Sequence, residues 1–440
     1  MTLPSSYVRE VPVSEGAEAF IEVLNANGVE CIFINPGSDL IPILEALAKF
    51  RVEGRKAPEV ILCQHEMLAM TAAHGYFMAT ERPQVVLVHL DVGTLQVGGA
   101  LHNAQRGYAG VIFCAGHAPW TFEGERRGGR FSSIDYRMEQ FDQAAIVRQY
   151  VKWDYELRCN DNIAHVMQRA FQVANTEPHG PVYLKLPREV LMEKIGSVRI
   201  LPPERYGSAL SPEGDRAALE EAARLLAGAR NPLCITNSIG RHPGAVAAFV
   251  QLCEAVAMRV ATPNLRMNFP TNHPLWAESN SHPYIKDADV ILVIDTQVPW
   301  TPSQVRPSAQ ARVIHIDMDP IKASMPMTNF PADLRLLADS SKAVPALLQM
   351  VRERLSSADR ARVGERLEGF QAEDKTRRAR WHRNGPPGAW AKKSAPTTYW
   401  WTKASATGRT HAATSSARTR APPTIRMAAA WAGVSARPLA

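Results

Sequence analysis

Short apolar runs alternate with stretches of helical spacing through most of this chain, and no other feature limits its possible folds as much. Glu30-Cys31-Ile32-Phe33-Ile34, Val60 to Cys63, Val85 to Leu90, Val111 to Cys114 and Val182 to Leu186 are each a few residues long and rich in Val, Ile, Leu and Phe. Runs that short and that apolar read as strands buried on both faces, and the longer segments between them read as covering helices. The expectation is an α/β fold: a parallel sheet with helices on both faces and right-handed crossovers. Ala17 to Ala26 reads as a helix closed by Gly28, and Ser38 or Asp39 as the cap of a helix reaching Phe50.

In such a sheet ligands bind outside the carboxyl ends of the strands. The segments there are Asn35-Pro36-Gly37, His65-Glu66, Asp91-Val92-Gly93-Thr94 and Ala115-Gly116-His117-Ala118-Pro119, all read as loops. Each by itself is an ordinary turn. Glu66 stands where a strand hands over to small and apolar residues at helical spacing, and by itself a glutamate there complements the helix dipole.

Arg199 to Pro212, rich in Pro, Gly and Ser, reads as a linker. A second α/β unit follows, with helices Ala217 to Ala227 and Ala245 to Met258 and strands Pro232 to Thr236, Val290 to Ile294 and Val313 to Ile316. The expected organisation is two doubly wound domains, 1–195 and 213–343, joined by 196–212 and followed by a helical linker, 344–381, with Pro345 in its first turn. Asp295, Asp317 and Asp319 end strands and suit turns and helix caps; as a set they are also open to reading as metal ligands. Asn237-Ser238-Ile239-Gly240-Arg241 offers one glycine where a dinucleotide fingerprint needs three.

The net charge of +7 is unevenly placed: 13 Lys and Arg and no acidic residue lie from Lys375 onward, leaving 37 basic against 43 acidic residues before it. The folded body is therefore acidic, and residues 382–440 read as a disordered basic tail without a stacking motif for nucleic acid. No apolar run approaches membrane length, and six scattered cysteines read as free thiols of a cytoplasmic protein. Neither nucleic acid nor a membrane is expected as a partner.

Several phrases together carry a resemblance. His65-Glu66, Ala72-Ala73-His74-Gly75-Tyr76, Gly99-Ala100-Leu101-His102-Asn103-Ala104, Phe141-Asp142-Gln143 and Gly180-Pro181-Val182-Tyr183-Leu184 are similar to the pyrimidine-binding domain of thiamine diphosphate enzymes of the acetolactate synthase type. Asp287 to Asp295 and Val313 to Pro320 resemble the central domain of that family. The resemblance implies decarboxylation and carboligation of a 2-keto acid, or simple decarboxylation or aldehyde ligation on another one, or a non-catalytic subunit. It implies Glu66 as the catalytic carboxylate, held to a ring nitrogen of the aminopyrimidine, and Pro36, Gly37, His65, Gly93, Thr94 and Asn103 beside the cofactor. It also implies a homodimer or tetramer. Met67 and Asp91-Val92-Gly93-Thr94 depart from the acetolactate synthase pattern, and the Glu123 to Arg130 segment is either a solvated loop or a grip on substrate carboxylate.

In the family a third domain holds the diphosphate through Mg²⁺ with a Gly-Asp-Gly motif. No equivalent is expected here, since Gly214-Asp215 lacks the second glycine. FAD is expected to be absent, and the chain impaired alone. Read from the third base of each codon, Tyr399-Trp400-Trp401-Thr402-Lys403 gives Leu-Val-Asp and then Lys, Gln or Glu, and Met427 to Gly433 gives a Gly-rich stretch similar to the start of that third domain. A shifted frame near codons 381–395 of a longer enzyme is the expectation.

Overall fold

Each apolar run forms a strand whose alternate side chains enter two different cores, which is why the runs show no polar face. The computed structural model describes residues 8–263, 266–277 and 280–384, with side chains to position 376; the expectations for the basic tail and its reading frame beyond 384 lie outside the described residues. In chain order the N-terminal strands are β1 (Arg9–Pro12), β2 (Cys31–Asn35), β3 (Glu59–Leu62), β4 (Gln84–Val88), β5 (Val111–His117), β6 (Asp154–Glu156), β7 (Val182–Pro187) and β8 (Ser197–Ile200). Their helices are α1 (Gly16–Ala26), α2 (Ile41–Val52), α3 (Glu66–Thr80), α4 (Leu90–Gln96), α5 (Gly98–Arg106), α6 (Ser133–Arg137), α7 (Ile163–Asn175) and α8 (Arg188–Leu191). Six strands make one sheet in the order β3-β2-β4-β5-β7-β6, with every ladder parallel. Ile32, Ile34, Val85, Leu87 and Ile112 pack under α1, α2 and α7, whereas Phe33, Val86, Val88, Phe113 and Tyr183 pack under α3 and α5.

The central domain contains α9 (Arg216–Gly228), β9 (Pro232–Thr236), α10 (Pro243–Ala255), β10 (Arg259–Ala261), α11 (His282–Ile285), β11 (Val290–Ile294), β12 (Arg312–Asp317), β13 (Leu334–Leu337) and α12 (Ser340–Arg354). Its parallel sheet runs β10-β9-β11-β12-β13. One face is covered by α9, α10 and α12; the other packs on Ile285, Ala288, Trp300 and Val305. A final helix, α13 (Ser357–Asn384), carries Arg366, whose guanidinium donates to the carbonyls of Ala229, Arg230, Val256 and Ala257. Those carbonyls follow the ends of α9 and α10, where backbone acceptors lack helical partners and a cation is favoured.

Several local expectations are corrected. Strand β8 falls at the start of the stretch read as linker and pairs antiparallel with β1, because Val198 and Ile200 are buried against the N-terminal core. The helix expected from Val344 starts at Ser340, with the Asp339 carboxylate accepting from the Ser341 amide at 2.8 Å. It belongs to the central domain through buried Val344, Leu347 and Val351, and Pro345 lies inside it beyond the first turn. Ser38 and Asp39 do not cap α2; they form a 3-10 turn, and the Asp39 side chain points elsewhere. Val85 to Leu90 is a strand only to Val88, and Asp91 to Thr94 is helix, not loop. The short strands β6, β10 and β13 carry no strong pattern and were missed. No described helix is long and apolar enough to cross a membrane.

Candidate active site

The start of α3 is fixed by its own sequence. His65, extended at φ −156° and ψ 143°, is the N-cap, and its Nδ1 accepts from the Met67 amide at 3.0 Å. The Leu68 and Ala69 amides donate to the His65 carbonyl, so His65 satisfies three donors of the first turn. Glu66 is therefore the first helical residue, with its side chain 12% exposed and His65 Nδ1 3.8 Å from Oε2. The positive end of the helix favours its carboxylate. No hydrogen bond from the described residues reaches that carboxylate, which leaves its oxygens as available acceptors.

At the carboxyl end of the sheet lies a pair that periodicity did not show. Asp39, 3% exposed, bonds through Oδ1 to His89 Nδ1, and its Oδ2 accepts from the Leu90 amide at 3.4 Å. His89 follows β4, and Leu90 turns the chain at φ 41°, a left-handed conformation that a leucine adopts only under tertiary constraint. Burial drives the imidazole pKa down, but the Asp39 hydrogen bond and charge outweigh it, with Asp91 and Glu66 adding to them, and the net pKa is raised. A Cβ at Gly37 would land on the His89 ring and one at Gly116 on the Asp39 carboxylate. Both glycines are thus required by close approach rather than by turn geometry.

Of the expected site residues, Gly37 lies against His89, Glu66 is near enough for its charge to act on His89, His65 adjoins Glu66, and Pro36 is exposed beside Gly37. Gly93 and Thr94 are buried in α4. The Thr94 hydroxyl is committed to the Leu90 carbonyl at 2.6 Å and to Tyr183 Oη at 2.8 Å, while Gln143 Nε2 bridges Tyr183 Oη and the Gly116 carbonyl. These two residues support the loop that carries His89 from beneath. Asn103 stands on the exposed side of α5, bonded to His102 at 3.3 Å. Asp39 and His89 are the residues that sequence reasoning did not assign to the site. A polar residue closing an otherwise apolar run was the available signal for His89, and it was absorbed into the strand.

Among the described residues, no group of three or more His, Cys, Asp or Glu is placed to hold a metal ion. Asp317 is instead paired with Lys322 at 2.6 Å, and Asp295 with Arg241 at 2.8 Å. In the segment from Glu123 to Arg130, Arg127 bonds Glu15 and Arg130 bonds Glu139 and the Pro119 carbonyl, while its guanidinium lies over the Phe122 and Tyr136 rings.

The thiamine pyrophosphate enzyme N-terminal TPP binding domain matches residues 14–146, and the thiamine pyrophosphate enzyme central domain matches residues 219–347. Benzoylformate decarboxylase of Pseudomonas aeruginosa is 27% identical over 348 residues, 76% of this chain and 61% of that protein. Acetolactate synthase of Arthrospira platensis is 25% identical over 351 residues, 76% of this chain and 58% of that protein. The crystal structure of benzoylformate decarboxylase from Polynucleobacter necessarius shares the fold, with a TM-score of 0.64 at 21% identity over 77% of this chain and 61% of that one. This chain thus spans about three fifths of the length of these relatives. The two domains, matched in this order, make the chain a member of the thiamine pyrophosphate enzymes.

Proposed function

We propose that this chain supplies the pyrimidine side of a thiamine diphosphate site for decarboxylation of a 2-keto acid. The observation that carries the reading is the nearly covered Glu66 carboxylate opening α3, unbonded among the described residues and near the Asp39–His89 pair. A carboxylate without a protein donor suits a ring N–H, and Gly37 lets backbone pass close beside it. Glu66 would hold the aminopyrimidine, with Pro36, Gly37 and His65 around it. When bound, thiamine diphosphate supplies the electron sink that lets a keto acid lose CO₂.

The chain's own contribution is proton handling and exclusion of water. Glu66 Oε would accept the ring N–H and so hold the heterocycle in one orientation. His89, its Nδ1 engaged by Asp39, is held in one orientation with Nε2 free to carry a proton to the carbon that has lost CO₂. That pair favours simple decarboxylation, and the acetolactate synthase relatives support carboligation of the acetolactate synthase type as the second reading.

The diphosphate and Mg²⁺ would be held by residues outside those described or by another chain, so activity of this chain alone would be low. Exposed Met67, Leu68, Leu95, Phe131 and Phe141, on segments that follow strand ends, support assembly into a homodimer or tetramer. The central crevice, filled by Arg241 and Asp295, supports a protein without FAD. The test is calorimetric titration of thiamine diphosphate and Mg²⁺ into the 440-residue protein beside Glu66→Gln. Weak binding that the substitution abolishes is expected; tight, metal-dependent binding unaffected by it contradicts the proposal.

A further inference from the structure

In the central sheet the chain reverses direction between β9 and β11, and in open α/β sheets the crevice beyond that point receives ligands. Here protein occupies it. Asp295 closes β11 with its backbone at φ 47°, is 6% exposed, and accepts from Arg241 Nη1 at 2.8 Å. Arg241 Nε reaches across to Glu177 of the N-terminal domain at 3.2 Å. Glu177 faces His179 at 3.5 Å and His242 at 3.8 Å, and His242 lies 3.5 Å from Glu81.

This cluster ends on one element. Glu81 is the left-handed C-cap of α3; Phe77, in its last turn, packs edge-on to His179 at 5.2 Å; and Arg266 reaches the Met78 carbonyl at 3.5 Å and sulfur at 3.4 Å. Cations at a helix C-terminus are favoured, and a buried pair loses far more than a surface pair when one partner is removed. The other end of α3 is Glu66, about 21 Å away at 1.5 Å per residue. Between the ends the helix buries only Ala69, Met70, Ala73 and Phe77. Met70 and Phe77 seat that face in the core, and packed helices still shift by 1–2 Å in known transitions. The polar contacts at its two ends are where its axial position can be trimmed.

We propose that the cluster of Arg241, Glu177, His242 and Glu81 is a clasp through which the central domain fixes the axial position of α3 and so the placement of Glu66. Arg241 and His242 are positioning residues, and their functional meaning rests on the role of Glu66 proposed above. The central domain then acts as an end-stop for the site helix, with its own crevice given over to this purpose.

The test is native-state hydrogen exchange on the full chain, comparing amides of residues 69–72 near the start of α3 with those of β5. His242→Ala and Glu81→Ala alter the half-exposed rim. Arg241→Met combined with Glu177→Gln and Asp295→Asn removes the buried charges together, so that none is left unpaired. Exchange at 69–72 is expected to rise about tenfold while β5 is unchanged, since local openings differ in free energy across a fold. Acceleration confined to residues 77–82, or equal in β5, overturns the clasp. The same variants should bind thiamine diphosphate about tenfold more weakly, a loss of about 1.4 kcal/mol. A wild-type chain that binds no cofactor refutes the proposed function, whereas the exchange pattern still decides the clasp.

Discussion

Replacing Asp39 with asparagine tests the site most directly, because one substitution removes a charge and leaves the shape. The Asp39 side chain is 4% exposed and that of His89 24%, so solvent screens their interaction only partly. A hydrogen bond to a charged group contributes about 1.5–3 kcal/mol, so removing it in Asp39→Asn should lower the His89 pKa clearly. With Asp39 neutral, burial is opposed only by the charges of Asp91 and Glu66, and the imidazole moves downward. The linkage has a definite sign. In the parent protein the folded pKa lies above the unfolded value, so the stabilisation is full below about pH 6.5 and is lost as pH rises through the folded pKa. The stability difference between parent and variant should therefore be greatest in mild acid and close towards alkaline pH. Titration of the imidazole Cε1–H by NMR, with the resonance assigned among 13 histidines through His89→Gln, reads the pKa directly. A midpoint that stays put or rises in Asp39→Asn would show that Asp39 does not hold the proton on His89.

Gly116→Ala should act on the same pair, since its methyl group would meet the Asp39 carboxylate; the expected sign is again a lower His89 pKa by NMR. Tyr183→Phe leaves Thr94 and Gln143 without their shared buried partner and should cost about 1–3 kcal/mol in urea unfolding. Arg366→Ala exposes four helix-end carbonyls and should destabilise by about 2–4 kcal/mol; a change below 0.5 kcal/mol would argue against the capping role. Glu66→Gln should change the unfolding free energy by no more than about 1 kcal/mol, the contribution of one charge at a helix N-terminus, while removing cofactor binding in the titration.

The α/β class, the strands of both sheets with large apolar runs, and Glu66 at the head of α3 were legible in the sequence. They depend on local pattern: a run apolar on both faces has to be a covered strand, and His65 caps α3 from one residue away. Elements without their own pattern were not legible. Strand β8 looks like linker until β1 pairs with it across the domain, and β6, at three residues, is defined by its neighbour β7. Thr94 looked like a loop residue because the Gly beside it suggests a turn, but its hydroxyl is spent on Tyr183, 89 positions away.

The sequence by itself determined which segments would be strands and helices, and that an acidic side chain would stand at a strand-to-helix junction, because propensity, capping and periodicity act within a few residues. Only the tertiary structure decided that Asp39 meets His89 fifty positions on, and that Arg241 joins Glu177 to Asp295 between domains. Those charges are bound by the geometry of burial, and burial is a property of the packed chain rather than of any stretch of it.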